Sequence, residues 1–204
     1  MIRVLLADDQ AMIRGAIAAM LGLEGDIEVV AQAGNGDEVL AEAGRAKPDV
    51  ALLDVQMPGG EIPDGIAAAA ELHTLLPTCR IVILTTFGRP GYLARAMRAG
   101  ASGFVVKDSP PEQLADAVRR VHQGLRVVDP ALAAESLSSG ASPLTARERD
   151  VLLAAADGAT VSDIARRLHL SEGTVRNHLS AAIGKTDSRT RAEAVRTADH
   201  NGWL

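Results

Sequence analysis

The sequence predicts an α/β domain with a doubly wound, five-stranded parallel sheet, followed by a small all-α helix-turn-helix domain. Three observations carry this. Five short aliphatic runs alternate with Ala-rich stretches of helical spacing before residue 125. A Pro-, Ser- and Gly-containing stretch then breaks the pattern. From Leu144 onward only helical periodicity remains, punctuated by capping signals. Near-continuous Val/Ile/Leu runs suit parallel strands covered on both faces, and strict alternation with helices implies right-handed crossovers.

The predicted strands are Arg3–Ala7, Ile27–Ala31, Val50–Leu53, Arg80–Leu84 and Gly103–Val106. The helices between and after them are expected at Gln10–Leu23, Gly36–Ala46, Gly65–Leu76, Pro90–Ala99 and Pro110–Gly124. Pro110-Pro111 marks the last start, where a missing N–H costs little. Residues 125–142 read as a linker, with a short helix over Pro130–Leu137. The boundaries expected are therefore 1–124, 125–142 and 143–204. In the last part, Thr145 with Glu148 forms a capping box, and Thr160 with Asp163 repeats it with a shorter acid. Ser171 supplies a third cap. Helices are expected over Ala146–Asp157, Val161–Leu168, Glu172–Lys185 and Arg189–Asn201. A four-residue turn at Leu168–Ser171 separates the second from the third.

Composition narrows the function classes. Of 204 residues, 47% are hydrophobic and 23% charged. That balance excludes wholesale disorder. Four aromatic residues (Phe87, Tyr92, Phe104 and Trp203) exclude a reader that stacks bases on many rings. One cysteine, Cys79, excludes an internal disulfide framework and a multi-Cys zinc site, and reads as a small buried residue. No pair of the five histidines has zinc-helix spacing with an acid between. Residues 1–23 do not read as a signal peptide, since Asp8, Asp9 and Arg14 interrupt the apolar pattern. No run approaches the roughly 18 apolar residues of a membrane span. A cytoplasmic protein without membrane insertion is expected. Charge is unevenly spread: residues 1–140 carry 12 basic and 18 acidic side chains, whereas residues 166–191 carry six basic against two acidic. An acidic half joined to a basic stripe points to two tasks, although a solvated helix face produces such a stripe too.

Asp8 and Asp9 follow the first predicted strand, Asp54 the third, Thr85 the fourth and Lys107 the fifth. In an open parallel sheet the strand C-termini share one edge, where ligands bind at the topological switch point. Three carboxylates there invite a hard cation with oxygen ligands, most simply Mg2+. With an ammonium and a hydroxyl beside them, the set suits phosphoryl transfer onto a carboxylate. Taken singly, adjacent aspartates are ordinary loop solvation, Asp54 could cap a helix, and Lys107 is surface-typical. The five at strand ends in one sheet argue for a site.

The segments "LLADDQ", "LLDVQMPGG", "VILTTF" and "AGASGFVVKDS" resemble the receiver domain of two-component response regulators over residues 1–124. That resemblance implies strand order 2-1-3-4-5 and a phosphoacceptor at Asp54. It implies Mg2+ carboxylates at Asp9 and, through water, Asp8, with Asp54 itself and the backbone carbonyl of Gln56 as further ligands. It also implies a switch hydroxyl at Thr85, a switch aromatic at Phe104 that repacks inward, a lysine at Lys107 and a loop proline at Pro58. The "GGEIPDG" segment after Pro58 is longer by about two residues than the usual family loop, which would alter access to the site.

Residues 144–204 resemble the LuxR-type helix-turn-helix through "LTARERDVL", "SDIARRLHLSEGTVRNHL" and the terminal "GWL". Together the two halves resemble the NarL/FixJ class, and "LTTFGRPGYLARAM" with "SEGTVRNHLS" is similar to its desaturase, or membrane-fluidity, branch. The Glu172–Lys185 helix is then the one to enter the major groove. Arg176 and Asn177 suit guanine and adenine edges, and by resemblance they and Ser180 sit where the family reads bases. Thr174, Lys185 and the helix starts near Thr160 and Ser171 suit phosphates. His178, on the same helix, reads as packing or phosphate-facing. "IGKTDSRTR" departs from the family, and Thr186 and Asp187 are expected either to weaken the seat of the last helix or to add negative charge near DNA. The resemblance implies a sensor histidine kinase as phosphodonor, double-stranded promoter DNA as target, and a homodimer formed on phosphorylation. The rivals are an aspartate-nucleophile phosphohydrolase, which commonly needs Asp-x-Asp rather than Asp8-Asp9, a DNA-binding protein with a vestigial receiver, and a ligand-sensing LuxR-type regulator.

Overall fold

A computed structural model describes residues 1–86, 90–130, 132–134 and 142–204. Up to residue 124, which covers most of the first unit, the elements run β1 (Ile2–Ala7), α1 (Ala11–Leu21), β2 (Ile27–Ala33), α2 (Gly36–Ala46), β3 (Val50–Asp54), α3 (Gly65–Leu75), β4 (Arg80–Thr85), α4 (Pro90–Arg98), β5 (Gly103–Val106) and α5 (Pro111–His122). The five strands are all parallel, in the order β2-β1-β3-β4-β5. The order reverses between β1 and β3, so the switch-point crevice opens at the C-terminal ends of those two strands.

Side chains alternate across the sheet with period two. Val4, Leu6, Val50, Leu52, Val82, Leu84 and Val105 pack with Leu21, Leu114, Val118 and Val121 of α1 and α5. Leu5, Leu53, Ile81, Ile83 and Phe104, also buried, point to the opposite face. Every residue of β3 is buried, which explains its unbroken apolar run. The Ala-rich face of α3 (Ala68, Ala69) is buried too, and small side chains let a helix lie close to the sheet.

The structure shifts several expected boundaries. α1 begins at Ala11, with Gln10 in the cap position and no side-chain cap. α5 ends at His122, and Gly124 takes a positive φ of 86°. A left-handed glycine there stops the helix. The chain then stays on the sheet where a linker was expected. Val127 donates to Ser102 O at 3.0 Å, accepts from Phe104 N at 2.8 Å and bridges Gly103. This short pairing covers part of the β5 edge, which would otherwise expose unpaired backbone. Of the helix expected over Pro130–Leu137, residues 130 and 132–134 are helical and the others lie outside the described residues.

The second unit holds α6 (Ala146–Leu153), α7 (Val161–Leu168), α8 (Glu172–Lys185) and α9 (Arg191–His200). Val151, Leu152, Ile164, Val175, Leu179, Ala182, Ala194 and Ala198 form its core, with Trp203 packed against them. Both capping boxes form, and Ser171 caps α8 through Thr174 N. α6 ends four residues early, because residues 154–157 tighten into turns with i→i+3 hydrogen bonds. α9 starts at Arg191 because Thr190 takes the cap and accepts from Glu193 N. Among the described residues no helix is long and apolar enough to cross a membrane.

Gly65, the first residue of α3, has no room for a side chain: a Cβ there would overlap the Asp54 carbonyl oxygen and lie 3.0 Å from Met57 Cε. Gly65→Ala is expected to destabilise the first unit by about 1–3 kcal/mol, the usual cost of overpacking. Urea denaturation checks this, and an unchanged midpoint would show that the contact relaxes freely.

Candidate functional site

β1 delivers Asp8 and Asp9 to the crevice, and β3 ends on Asp54. Each of the three offers a carboxylate oxygen within 4.8 Å of the others. Asp8 is fully buried, Asp54 is 3% exposed and Asp9 is open to solvent. Lys107, one residue beyond β5, reaches between them. Its Nζ lies 2.6 Å from Asp8 Oδ2 and 3.0 Å from Asp54 Oδ2. The other Asp8 oxygen accepts from Gln10 N at 2.9 Å, and the Asp8 carbonyl accepts from the Arg14 guanidinium. Asp8 is thus held at the amide of the next turn, at its own peptide and at the ammonium.

Burial raises the Asp54 pKa above the usual carboxylate value, and the Asp8 charge adds to this, while the Lys107 ammonium opposes it. Burial draws the Lys107 pKa down, but its hydrogen bonds to Asp8 and Asp54 outweigh that and leave it raised. Lys107 therefore stays cationic. Three carboxylates and one ammonium leave an excess of two negative charges when all are ionised. A single divalent ion neutralises that excess, and three carboxylate oxygens are the donor set a hard cation takes.

The other expected residues fall around this centre. Thr85 is buried at the end of β4, pairs with Val106, and its carbonyl accepts from Lys107 N at 2.7 Å. Asp54 pairs with Leu84 in the neighbouring strand, so Thr85 lies one residue farther along the same edge. Gln56 follows in the loop, its side chain exposed, between buried Val55 and Met57. Phe104, the expected switch aromatic, is buried on β5. The longer loop after Pro58 is pinned: Asp37 accepts from Glu61 N at 2.9 Å and from Ile62 N at 3.1 Å. Ile62 is buried against Gly36, where a Cβ would stand 2.6 Å from it. The extra residues are absorbed against the start of α2. Arg14 is the pocket residue that sequence reasoning missed. Its position one turn into α1 carried no motif, and only the fold brings it to Asp8.

In the second unit, Arg176, Asn177 and Ser180 are exposed on α8, while Val175 and Leu179 face the core. Arg176 pairs with Glu172 at 2.6 Å. Two residues expected to contact phosphate also have partners within the unit. Lys185 is engaged inside the unit, with Nζ 2.9 and 2.7 Å from the two oxygens of Glu148. The Thr174 hydroxyl is 2.8 Å from Ser171 Oγ, within the cap of its own helix. Thr186 is where a weaker seat for the last helix was one expectation. Thr186 is buried, but its Oγ1 lies 2.8 Å from Ala182 O and 3.0 Å from Ser188 Oγ. Its polar atom is therefore satisfied, as a buried hydroxyl requires. Asp187 adopts a left-handed φ of 50°. Asp tolerates that region better than most residues. His178 is half-buried and Cys79 is buried, its thiol pKa pushed up to about 12 chiefly by burial. Of the basic stripe, Arg166, Arg167, Arg176 and Arg189 are exposed, whereas Arg191 donates inward to Ala159 O at 2.7 Å.

Comparison with known proteins agrees with both halves. Residues 4–119 match the response regulator receiver domain, and residues 142–198 match the LuxR family of bacterial regulatory proteins. The chain is 43% identical to the transcriptional regulatory protein DesR of Bacillus subtilis over 204 residues, covering all of both chains. It is 36% identical to the DNA-binding transcriptional activator DevR/DosR of Mycobacterium tuberculosis, covering 96% of this chain and 93% of that protein. The crystal structure of the response regulator ChrA, from a heme-sensing two-component system, is 32% identical with a TM-score of 0.57, covering 100% of this chain and 98% of that one.

The fold and site define a two-component response regulator, with a receiver followed by a LuxR-type DNA-binding domain. The chain belongs to the NarL/FixJ class of transcription regulators, with which its similarity to DesR over the whole length accords.

Glu148 is a junction of the second unit. It accepts from Thr145 N at 2.7 Å in the capping box of α6 and holds Lys185 at the end of α8. The Lys185 ammonium, with the Thr145 amide, lowers its pKa below the ordinary 4.5. A lowered folded-state pKa contributes stability that is present above the unfolded value and is lost as pH falls through the folded one. Melting of the second unit, followed by fluorescence of the sole tryptophan Trp203, is expected to drop below pH 4.5. Glu148→Gln should lower the melting temperature at pH 7 and flatten that acid limb. The same acid limb in Glu148→Gln would assign the pH dependence to other carboxylates.

Proposed function

We propose that residues 1–124 act as a phosphorylation-controlled switch for a DNA-reading domain at residues 143–204, joined by residues 125–142. Asp54 is the phosphoacceptor, a sensor histidine kinase is the donor, and the regulator works in the cytoplasm. One observation carries this reading: Lys107 holds a buried Asp54 beside Asp8, with Asp9 within reach, at the switch point of a parallel sheet. Asp8, Asp9, Asp54 and the Gln56 carbonyl would hold Mg2+, which supplies charge neutralisation on the transferring phosphoryl oxygens. An Asp54 oxygen attacks phosphorus, the P–N bond to the kinase imidazole breaks, and the imidazole nitrogen keeps the electron pair. Lys107 stays protonated throughout and can turn from Asp8 and Asp54 toward a phosphoryl oxygen. Thr85, at the same edge, offers a hydroxyl donor to another.

The new group adds about −1.5 to −2 charge at a buried position. The receiver then favours a homodimer, which places two copies of α8 on half-sites of promoter DNA about one helical turn apart. Arg176, Asn177 and Ser180 read base edges. Thr174 serves through the exposed start of α8, and Lys185 sets the end of that helix through Glu148. The family, its DNA-binding domain and the exposed face of α8 support this assignment.

Acetyl phosphate with Mg2+ is expected to add one phosphoryl group to the wild-type chain by intact mass and none to Asp54→Ala. Chelation of the metal should abolish uptake. Equal uptake by both proteins would remove Asp54 from the role. On a footprinted promoter, Arg176→Ala is expected to lose about 1–3 kcal/mol of base discrimination. Unchanged affinity and sequence preference would exclude Arg176 from base reading.

A further inference from the structure

The loop leaving the acidic pocket returns to it at one close contact. Gly65 N donates to Val55 O at 3.0 Å, and a Cβ at Gly65 would overlap the Asp54 carbonyl oxygen. The first turn of α3 therefore rests on the peptide of residue 54. Packed interiors transmit such displacements, because nothing at this contact can be compressed.

Asp64, one residue earlier, uses its carboxylate twice. Oδ1 accepts from Ala67 N at 2.7 Å and caps α3. Oδ2 accepts from Arg95 Nη2 at 2.7 Å, and Arg95 belongs to α4. The Asp64 and Arg95 side chains are only 24% and 26% exposed. This pair is therefore less screened than one on the open surface. A cap needs one side-chain oxygen, and Asn serves at that position as well as Asp. The charge of Asp64 is surplus to capping and is directed at α4. Leu93 and Ala96 of α4 are buried, on either side in sequence of the half-buried Arg95. α4 thus meets the pocket twice: along the chain from the strand that ends on Thr85, and through space by way of Arg95, Asp64, Gly65 and the Asp54 peptide.

We infer that Asp64 is a positioning residue that, through Arg95, couples the state of Asp54 to the position of α4. This rests on the phosphoacceptor reading above. A phosphoryl group on Asp54 adds charge and bulk to a residue whose peptide touches α3. The cap makes Asp64 move with that turn, and the ion pair makes α4 share the movement.

The test uses the full chain as wild type, Asp64→Asn, Arg95→Gln and the double variant, each with and without acetyl phosphate and Mg2+. Intact mass reports phosphate uptake, and amide hydrogen exchange over Pro90–Arg98 reports α4. Asp64→Asn is expected to keep the cap, the melting temperature and phosphate uptake. Its phosphate-dependent change in α4 exchange should fall by about fivefold or more, the lower range of allosteric couplings. Arg95→Gln, which leaves the cap untouched, should show the same loss, and the double variant no more than either single, as expected of a coupled pair. An α4 response in Asp64→Asn and Arg95→Gln equal to wild type would overturn the inference. So would additive losses in the double variant, or lost phosphate uptake in Asp64→Asn, which would place Asp64 in the site itself. A wild type that takes up no phosphate would instead overturn the assignment of Asp54, independently of the variants.

Discussion

The ammonium of Lys107, set between Asp8 and Asp54, is the interaction on which the first unit depends. Two buried carboxylates this close repel, and without an intervening cation one of them would have to take up a proton. Breaking a buried pair by removing one partner typically costs about 3–5 kcal/mol, since it strands a charge in low dielectric. Lys107 prevents that, yet it neutralises only one of three negative charges. The pocket is therefore stable as it stands and still attractive to a divalent cation. Both properties follow from one lysine at the end of an edge strand reaching to the ends of the two strands at the switch point.

The second unit has a parallel constraint at a different scale. Glu148 closes a capping box at the start of α6 and grips Lys185 at the end of α8. The apolar core of the unit is small and rich in alanine. The polar junction adds directional bonds between α6 and α8 to that core. The proposed base readers Arg176, Asn177 and Ser180 remain exposed because the residues that hold the helix lie at its ends and on its inner face.

Much of the fold was legible from local pattern. Strand runs, helix periodicity and the Thr145, Thr160 and Ser171 caps are encoded by residues within a turn or a short run of one another, and all formed as expected. Boundaries moved where a neighbour competed: Thr190 took the cap that shortened α9, and Val127 found Ser102 and Phe104 and so remained on the sheet. Asp8, Asp9, Asp54, Thr85 and Lys107 were legible as a group because parallel topology collects strand ends at one edge. Arg14 was not, since nothing near it in sequence marks it as a partner of the Asp8 carbonyl. The partners of Lys185 and Thr174, Glu148 across 37 positions and the neighbouring Ser171 hydroxyl, were not legible, because spacing alone does not reveal such pairings.

By itself the sequence determined the two-part architecture, the order of its elements, the chemistry collected at the sheet edge and the polar positions on the outer face of α8. These depend on periodicity, capping and strand ends, all short-range properties of the chain. Only the tertiary structure decided how those groups are electrically paired. It settled that Lys107 bridges Asp8 and Asp54, that Asp37 pins the long loop, that Asp64 serves α3 and α4 together, and that Lys185 pairs with Glu148. Ion pairs between distant positions depend on distance and burial, and neither exists until the chain has folded.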